Sequence, residues 1–155
     1  MRHFFSDVTG LALDNRSRSM VSITYVSSAV HQFREPTLLD LVDQCQSNNM
    51  RLGVTGILVY SDGNFMQVIE GPDLVTNALY ERIKLDVRHH DVITVHSQSL
   101  DSREFQGWSM AFNILPLKAL RTSHTPEAFL DRARQRPLPL PNGSASSLVC
   151  AFMQQ

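Results

Sequence analysis

From Val21 the residues Val-Ser-Ile-Thr-Tyr-Val-Ser alternate, setting Ile23, Tyr25 and Ser27 on one face and Ser22, Thr24 and Val26 on the other. This period-two pattern predicts a first strand, because successive strand side chains point to opposite sides. Pro36 and Thr37 then supply helix-start chemistry, and Leu38, Leu41, Val42 and Cys45 recur at helical spacing until Ser47-Asn48-Asn49 ends the pattern. Val54 to Tyr60 and Phe65 to Glu70 are β-rich runs joined through Ser61-Asp62-Gly63-Asn64. The Asp-Gly pair predicts a hairpin, since both positions tolerate positive φ. After the break at Gly71-Pro72, Val75, Leu79, Ile83 and Val87 form the apolar stripe of a second helix. Asp91 to Ser99 reads as strand four and Trp108 to Phe112 as strand five, with Trp108, Met110 and Phe112 on one face. The order β-α-β-β-α-β-β predicts an α+β, ferredoxin-like fold: a five-stranded mixed sheet with two helices on one face, followed by C-terminal helices.

Residues 1–19 are polar and weakly patterned and read as an N-terminal extension, with Met20 a candidate original start. Residues 20–115 form the folded domain. In 116–155, short helices are expected near Pro116 to Arg121 and Pro126 to Arg134. Pro137-Leu-Pro-Leu-Pro-Asn-Gly-Ser then reads as a linker or frayed tail, and the apolar Leu148 to Met153 packs back or meets a partner. The 155 residues suffice for one core without metals or disulfides, and a net charge of -1 offers no basic surface for nucleic acid. Cys45 and Cys150 lie in no metal-ligand spacing, which points to reduced thiols in a cytoplasmic protein. No apolar run approaches the roughly 20 residues of a membrane span, and the N-terminal stretch, broken by Asp7, is no signal peptide.

Gln67 stands in the otherwise apolar run Phe65-Met66-Gln67-Val68-Ile69. A buried amide left unpaired costs about 1–3 kcal/mol, so Gln67 needs a polar partner. Tyr25 and Asn49 also fall where the core should be. Singly, Tyr25 reads as a half-buried strand tyrosine, Asn49 as a helix C-cap, and Gln67 as bonded to backbone at a sheet edge. Together, with the soft side chain of Met110, they line a cavity between helices and sheet that suits a flat, neutral heteroaromatic ligand. Acid/base or nucleophilic catalysis is disfavoured, because no His, Cys or paired carboxylate is expected on these faces. Arg82 and Asp86, four apart, read as a solvated ion pair on one helix face. His89-His90 beside Arg88 reads as a solvated turn rather than a metal site, and Trp108 as core.

Several blocks resemble the BLUF family of blue-light sensors using FAD: Ser22-Ile-Thr-Tyr25-Val-Ser27, Asn48 through Tyr60, Asp62-Gly-Asn-Phe65-Met-Gln67-Val-Ile-Glu-Gly71, Asp86-Val-Arg-His89 and Phe105-Gln-Gly-Trp108-Ser-Met110. By position, the resemblance implies that Asn49 bonds the pyrimidine edge of the isoalloxazine and that Gln67 lies between its N5/O4 edge and the Tyr25 hydroxyl. Arg82 and Asp86 approach the C2 carbonyl side, Leu41, Phe65 and Ile83 form apolar walls, and Arg88 and His89 match the outer, ribityl-phosphate end. Asn48 joins this cofactor-binding set where some members carry a histidine.

The implied cofactor is FAD, with FMN or riboflavin as substitutes. The implied photoactive set is Tyr25, Gln67, Met110 and Trp108. Excited flavin takes an electron and then a proton from Tyr25, the Gln67 amide rotates or tautomerises, and a stronger bond to O4 shifts the absorption to the red. Strand five senses the change through Met110 and Trp108. The chain resembles the short stand-alone members, which are not enzymes and signal to a protein partner, here unidentified, and a homodimer or higher oligomer is expected. Their C-terminal helices pack on the far side of the sheet, a role that Pro116 to Arg134 fits. Against this stand a small enzyme on the same scaffold, such as an acylphosphatase-type hydrolase or a flavin oxidoreductase, and a plain ligand-binding or oligomerising domain. Colour and a light-induced spectral shift separate the three.

Overall fold

The hairpin sets the register of the two strands that it joins. In a computed structural model of the chain, which describes residues 19–114 and 143–153, Asp62 and Gly63 take φ of 45° and 81° at the turn, and Ser61 pairs with Asn64. Strand β2 (Thr55–Ser61) thereby meets β3 (Asn64–Pro72), with Leu58 opposite Gln67. On its other side β3 pairs antiparallel with β1 (Met20–Ala29), Tyr25 opposite Gln67. Strand β4 (His89–Leu100) adds antiparallel to β1, and β5 (Ala111–Ile114) parallel to β2. The result is the expected five-stranded mixed sheet, in the order β4-β1-β3-β2-β5. Helix α1 (Glu35–Leu52) follows β1, α2 (Asp73–Lys84) follows β3, and α3 (Ser144–Met153) lies near the C-terminus.

Alternation along the central strands divides the interior in two. Ile23, Tyr25, Leu58, Phe65 and Ile69 pack with Leu38 and Val42 of α1 and Tyr80 of α2. Ile57, Val59, Met66 and Val68, their neighbours in sequence, pack on the opposite face with Phe105 and with Ala145 and Val149 of α3. Among the described residues no helix is long and apolar enough to cross a membrane.

Several boundaries differ from expectation. Helix α1 continues through Asn49 to Leu52 and stops at Gly53, whose φ of 64° is left-handed, so Asn49 is not its C-cap. Helix α2 ends at Lys84, which leaves Val87 outside it and 87% exposed. Strand β4 starts at His89, so His89 belongs to the sheet rather than to a solvated turn. Strand β5 begins only at Ala111, because Gly107 turns the chain at φ 83° and the Trp108 carbonyl accepts from the Gly56 N–H at 2.9 Å. Trp108 and Met110 therefore precede the strand and do not share a face: Trp108 packs with the Phe105 group, Met110 with the Tyr25 group. The N-terminal extension and the helices expected at 116–121 and 126–134 lie outside the described residues. The apolar run Leu148 to Met153 does pack back, as part of α3, on the side of the sheet away from α1 and α2.

Candidate functional site

Between α1, α2 and the sheet lies a cavity of about 250 Å³. Its floor is one cross-strand row, Tyr25 of β1, Gln67 of β3 and Leu58 of β2, with Phe65 beside it. Helix α1 contributes Leu41, Gln44, Cys45, Asn48 and Asn49 to one wall, and α2 contributes Leu79, Arg82 and Ile83 to the other. Asp86, Arg88 and His89, just past α2, complete the lining with Leu85 and Phe33.

Gln67 is 4% exposed and its amide is bonded at both ends. The Tyr25 hydroxyl donates to Gln67 Oε1, and Gln67 Nε2 faces Met110 Sδ at 3.5 Å. Met110 thus lies behind Gln67 rather than in the cavity wall, where it was expected. Burial, with smaller contributions from Cys45, Tyr80 and Asp86, pushes the Tyr25 phenol well above its usual pKa, so the hydroxyl stays a proton donor at neutral pH. The Tyr80 ring packs 5.4 Å from that of Tyr25, and its hydroxyl pairs with Thr94 Oγ1 at 2.8 Å.

Asn49 is 3% exposed and lines the cavity, yet its Nδ2 has no partner among the described residues. An orphaned buried donor of this kind is costly unless a ligand acceptor meets it. Arg82 brings a guanidinium, exposed at the cavity edge. Two donors beside the apolar Leu41, Phe65 and Ile83 fit a flat ring system with carbonyl and ring-nitrogen acceptors, so the residues present suit a flavin.

Charge at the rim is arranged differently from expectation. Because α2 ends at Lys84, Asp86 leaves the face that carries Arg82 and pairs with Arg88 instead, Nη2 to Oδ2 at 2.5 Å. The Arg88 hydrogen bonds hold the Asp86 carboxyl below the usual carboxylate range, against a smaller opposing effect of burial. Arg88 Nη1 also reaches Gln44 Oε1 on α1 at 3.2 Å. Cys45 and His89 do line the cavity; the residue pattern expected no such group there, whereas the resemblance put His89 at its outer end. Neither is set for catalysis: burial pushes the Cys45 thiol up, and the His89 ring nitrogens are engaged by Ser27 Oγ at 2.8 Å and the Ile83 carbonyl at 2.7 Å. Trp108 is absent from the cavity and stands half-buried against Phe105, ring centroids 5.8 Å apart, on the other side of the sheet.

Leu58, Leu79, Phe33, Gln44 and Leu85 line the cavity without having been singled out as ligand contacts. Hairpin pairing from the Asp-Gly turn leads to Leu58, and Leu79 lies one helical turn before Ile83. Phe33 sits in an aperiodic loop and carries no comparable signal.

The chain matches the family model for sensors of blue-light using FAD (BLUF) over residues 20–111. It is 32% identical over 93 residues to the photoactivated adenylate cyclase subunit beta of Euglena longa, covering 59% of this chain and 11% of that protein. It is 30% identical over 66 residues to the blue light- and temperature-regulated antirepressor BluF of Escherichia coli, covering 43% of this chain and 16% of that one. The chain thus spans about a tenth of the length of the cyclase subunits it matches. Among solved structures, dark-state BlrB, a BLUF protein, superimposes with a TM-score of 0.59 at 31% identity, covering 62% of this chain and 73% of that chain. Klebsiella pneumoniae BlrP1 with FMN and cyclic diGMP gives 0.65 at 31% identity, covering 88% and 35%. With a match that spans more than half of its length and includes the cavity floor, the chain belongs to the BLUF family of blue-light sensors.

Proposed function

We propose that this chain binds FAD in the cavity between α1 and α2 and that the series Tyr25, Gln67, Met110 is its light-driven switch. The observation that carries this reading is the Gln67 amide, held with its oxygen on the Tyr25 hydroxyl and its nitrogen toward a thioether sulfur. Sulfur is a weak acceptor, so this arrangement leaves the amide N–H groups under-used. A second arrangement of the same amide competes with it, which is what a two-state element requires.

Asn49 and Arg82 would hold acceptor atoms of the ring system, with Leu41, Phe65 and Ile83 against its flat faces. Asn48, Asp86, Arg88 and His89 complete the binding set toward the outer end. FMN and riboflavin carry the same ring and would satisfy the same donors. When bound, the flavin supplies absorption of blue light and an excited state that draws an electron. In this reading Tyr25 is the electron donor, and its Oη proton lies along the hydrogen bond to Gln67 Oε1. Passage of that proton to Gln67 Oε1 as the electron leaves would remove the donor that fixes the amide orientation, and Gln67 would then be free to rotate or tautomerise. Return of electron and proton leaves no net chemistry but a changed set of hydrogen bonds. The output is a changed protein contact rather than turnover, passed through β5 and the C-terminal segment to a protein partner in the cytoplasm, with a homodimer or larger assembly as the working unit.

A light-minus-dark absorption spectrum tests this. The purified protein should be yellow and blue light should shift its absorption reversibly to the red. Protein that takes up no flavin, or a flavin-loaded protein without the shift, would overturn the reading.

A further inference from the structure

The residues 101–110, between β4 and β5, are held at several points. Glu70 follows Gln67 by three positions on β3, so alternation sends its side chain to the face away from the cavity. There it is fully buried, and its Oε2 accepts from the Phe105 backbone N–H at 3.0 Å. Arg103 adds ties to Thr55 Oγ1 at 3.0 Å and to the Gly53 carbonyl at 2.6 Å. At the other end Gln46 Nε2 donates to the Met110 carbonyl at 2.9 Å. Glu104, next to Phe105, turns toward α3, where its Oε2 accepts from Ser146 N–H at 3.2 Å and Ser146 Oγ at 3.1 Å. Gly143 packs so closely on this carboxylate that a Cβ there would fall 2.1 Å from Glu104 Cδ.

We propose that Glu70 and Glu104 are positioning residues that make the segment 101–110 a relay between the Gln67 amide and the N-terminus of α3. The proposal rests on the reading of Gln67 as the switching amide. Met110 receives the Gln67 nitrogen at its sulfur, and Phe105, five residues earlier, is 1% exposed in the far-side core. With both ends of this short stretch packed in a core, a displacement of Met110 is passed on to the anchors of the segment. The Glu70 bond to Phe105 is buried, whereas the Glu104 bonds to Ser146 are part-buried. The weaker anchor yields, and movement at Met110 is delivered as loosening of the first turn of α3.

Trp108 is the only tryptophan of the chain and sits inside the relay, so its emission reports the segment with or without flavin. Hydrogen exchange of residues 145–149 reports α3. Glu70→Ala should shift Trp108 emission to the red and speed exchange in α3, while Glu70→Gln, whose amide oxygen still accepts from Phe105, keeps the original emission. Glu104→Ala, at a part-buried position, should speed dark exchange of α3 by about fivefold, as loss of a helix cap does, and abolish its dependence on light. The flavin red shift should persist in Glu104→Ala. Original emission and exchange in Glu70→Ala, or light-dependent α3 exchange surviving in Glu104→Ala, would overturn the relay. If Glu70→Ala does not fold, Glu104→Ala alone decides. A chain lacking the red shift altogether would instead sink the reading of Gln67, and the dark emission and exchange of the two variants would still decide whether the carboxylates hold the segment.

Discussion

On the α1 and α2 side, the β2–β3 hairpin faces a hollow of about 250 Å³ through Leu58, Phe65 and Gln67. On the other side its alternate residues Ile57, Val59, Met66 and Val68 are covered by Phe105 and α3. Both faces come from the same two strands, and both are dominated by apolar side chains. The difference lies in what completes them. The far side is filled by the chain's own residues, Ser22 Oγ, Thr24 Oγ1 and Glu70 Oε1 being buried there without a partner among the described residues, while the near side keeps an open space into which the equally unpartnered Asn49 Nδ2 can reach a ligand. A globular core loses stability by leaving such a space, so the asymmetry supports the proposal that the near face takes the ligand.

The comparison breaks most sharply at Gln67. Gln67→Leu should abolish the light-induced red shift entirely while the protein remains yellow, because an alkyl group has neither donor nor acceptor to rearrange. Difference spectroscopy reads this directly, and a residual shift would show that the floor of the cavity is not the switch.

A second contrast uses neighbours on β2. Ile57, 1% exposed, points into the filled face, and Leu58, 3% exposed, into the hollow one. In flavin-free protein Ile57→Ala should cost about 3–4 kcal/mol in urea unfolding and Leu58→Ala about 2, since truncation beside an existing opening creates less new enclosed void. Added flavin should widen the loss at Leu58 and leave that at Ile57 unchanged. Equal costs without flavin would mean that the two faces are packed alike.

How far the sequence discloses this asymmetry depends on the range of the signal. Alternation in 21–27 and the Asp-Gly turn are local, and from them the strand faces, the hairpin and the position of Gln67 can be read. What is missed needs contacts between distant segments. The register of β1 against β3, which brings Tyr25 opposite Gln67, has no local code, and the resemblance supplies that pair instead. The stripe Val75 to Val87 extends one turn too far because spacing alone cannot see the chain leave the helix after Lys84, and the same error assigns Asp86 to Arg82. Gly107 and the Gly56 bond to Trp108 delay β5, so the expected single face for Trp108 and Met110 divides between two. Residues of the far side, Glu70 and Glu104 above all, carry no signal in pattern, because Glu70 meets the Phe105 backbone 35 residues on and Glu104 meets α3 some 40 residues on.

Asn49 allows a smaller test of the near face. Asn49→Ala should weaken flavin retention by about tenfold, the equivalent of roughly 1.4 kcal/mol and within the range for one hydrogen bond to a buried donor. Its unfolding free energy without flavin should not fall, because the donor removed has no partner among the described residues to lose. Unchanged flavin affinity, measured by fluorescence titration, would detach Asn49 from the site.

The smallest effect separates the faces by the sign of their carboxylates. Asp86, at the cavity rim, is held below its ordinary pKa by Arg88, so its contribution is present above the unfolded value of about 3.9 and is lost as pH falls through the folded value. The pair is partly exposed, 29% and 42%, which keeps its worth to about 0.2–1 kcal/mol. Asp86→Asn should therefore lower the melting temperature slightly at pH 6 and by progressively less as pH falls below about 4. Glu70 behaves in the opposite sense. Burial raises its pKa, opposed in part by the Phe105 N–H, so stability tied to its protonated form is present below the unfolded value and is lost as pH rises through the folded one. Relative to the original protein, Glu70→Gln should gain stability as pH climbs from 4 toward 8, while Asp86→Asn loses it as pH climbs toward about 4 and then levels off. Melting curves of the two variants across pH should thus diverge in opposite directions, and curves of the same sign would show that the rim and the buried far side do not differ in how they hold charge.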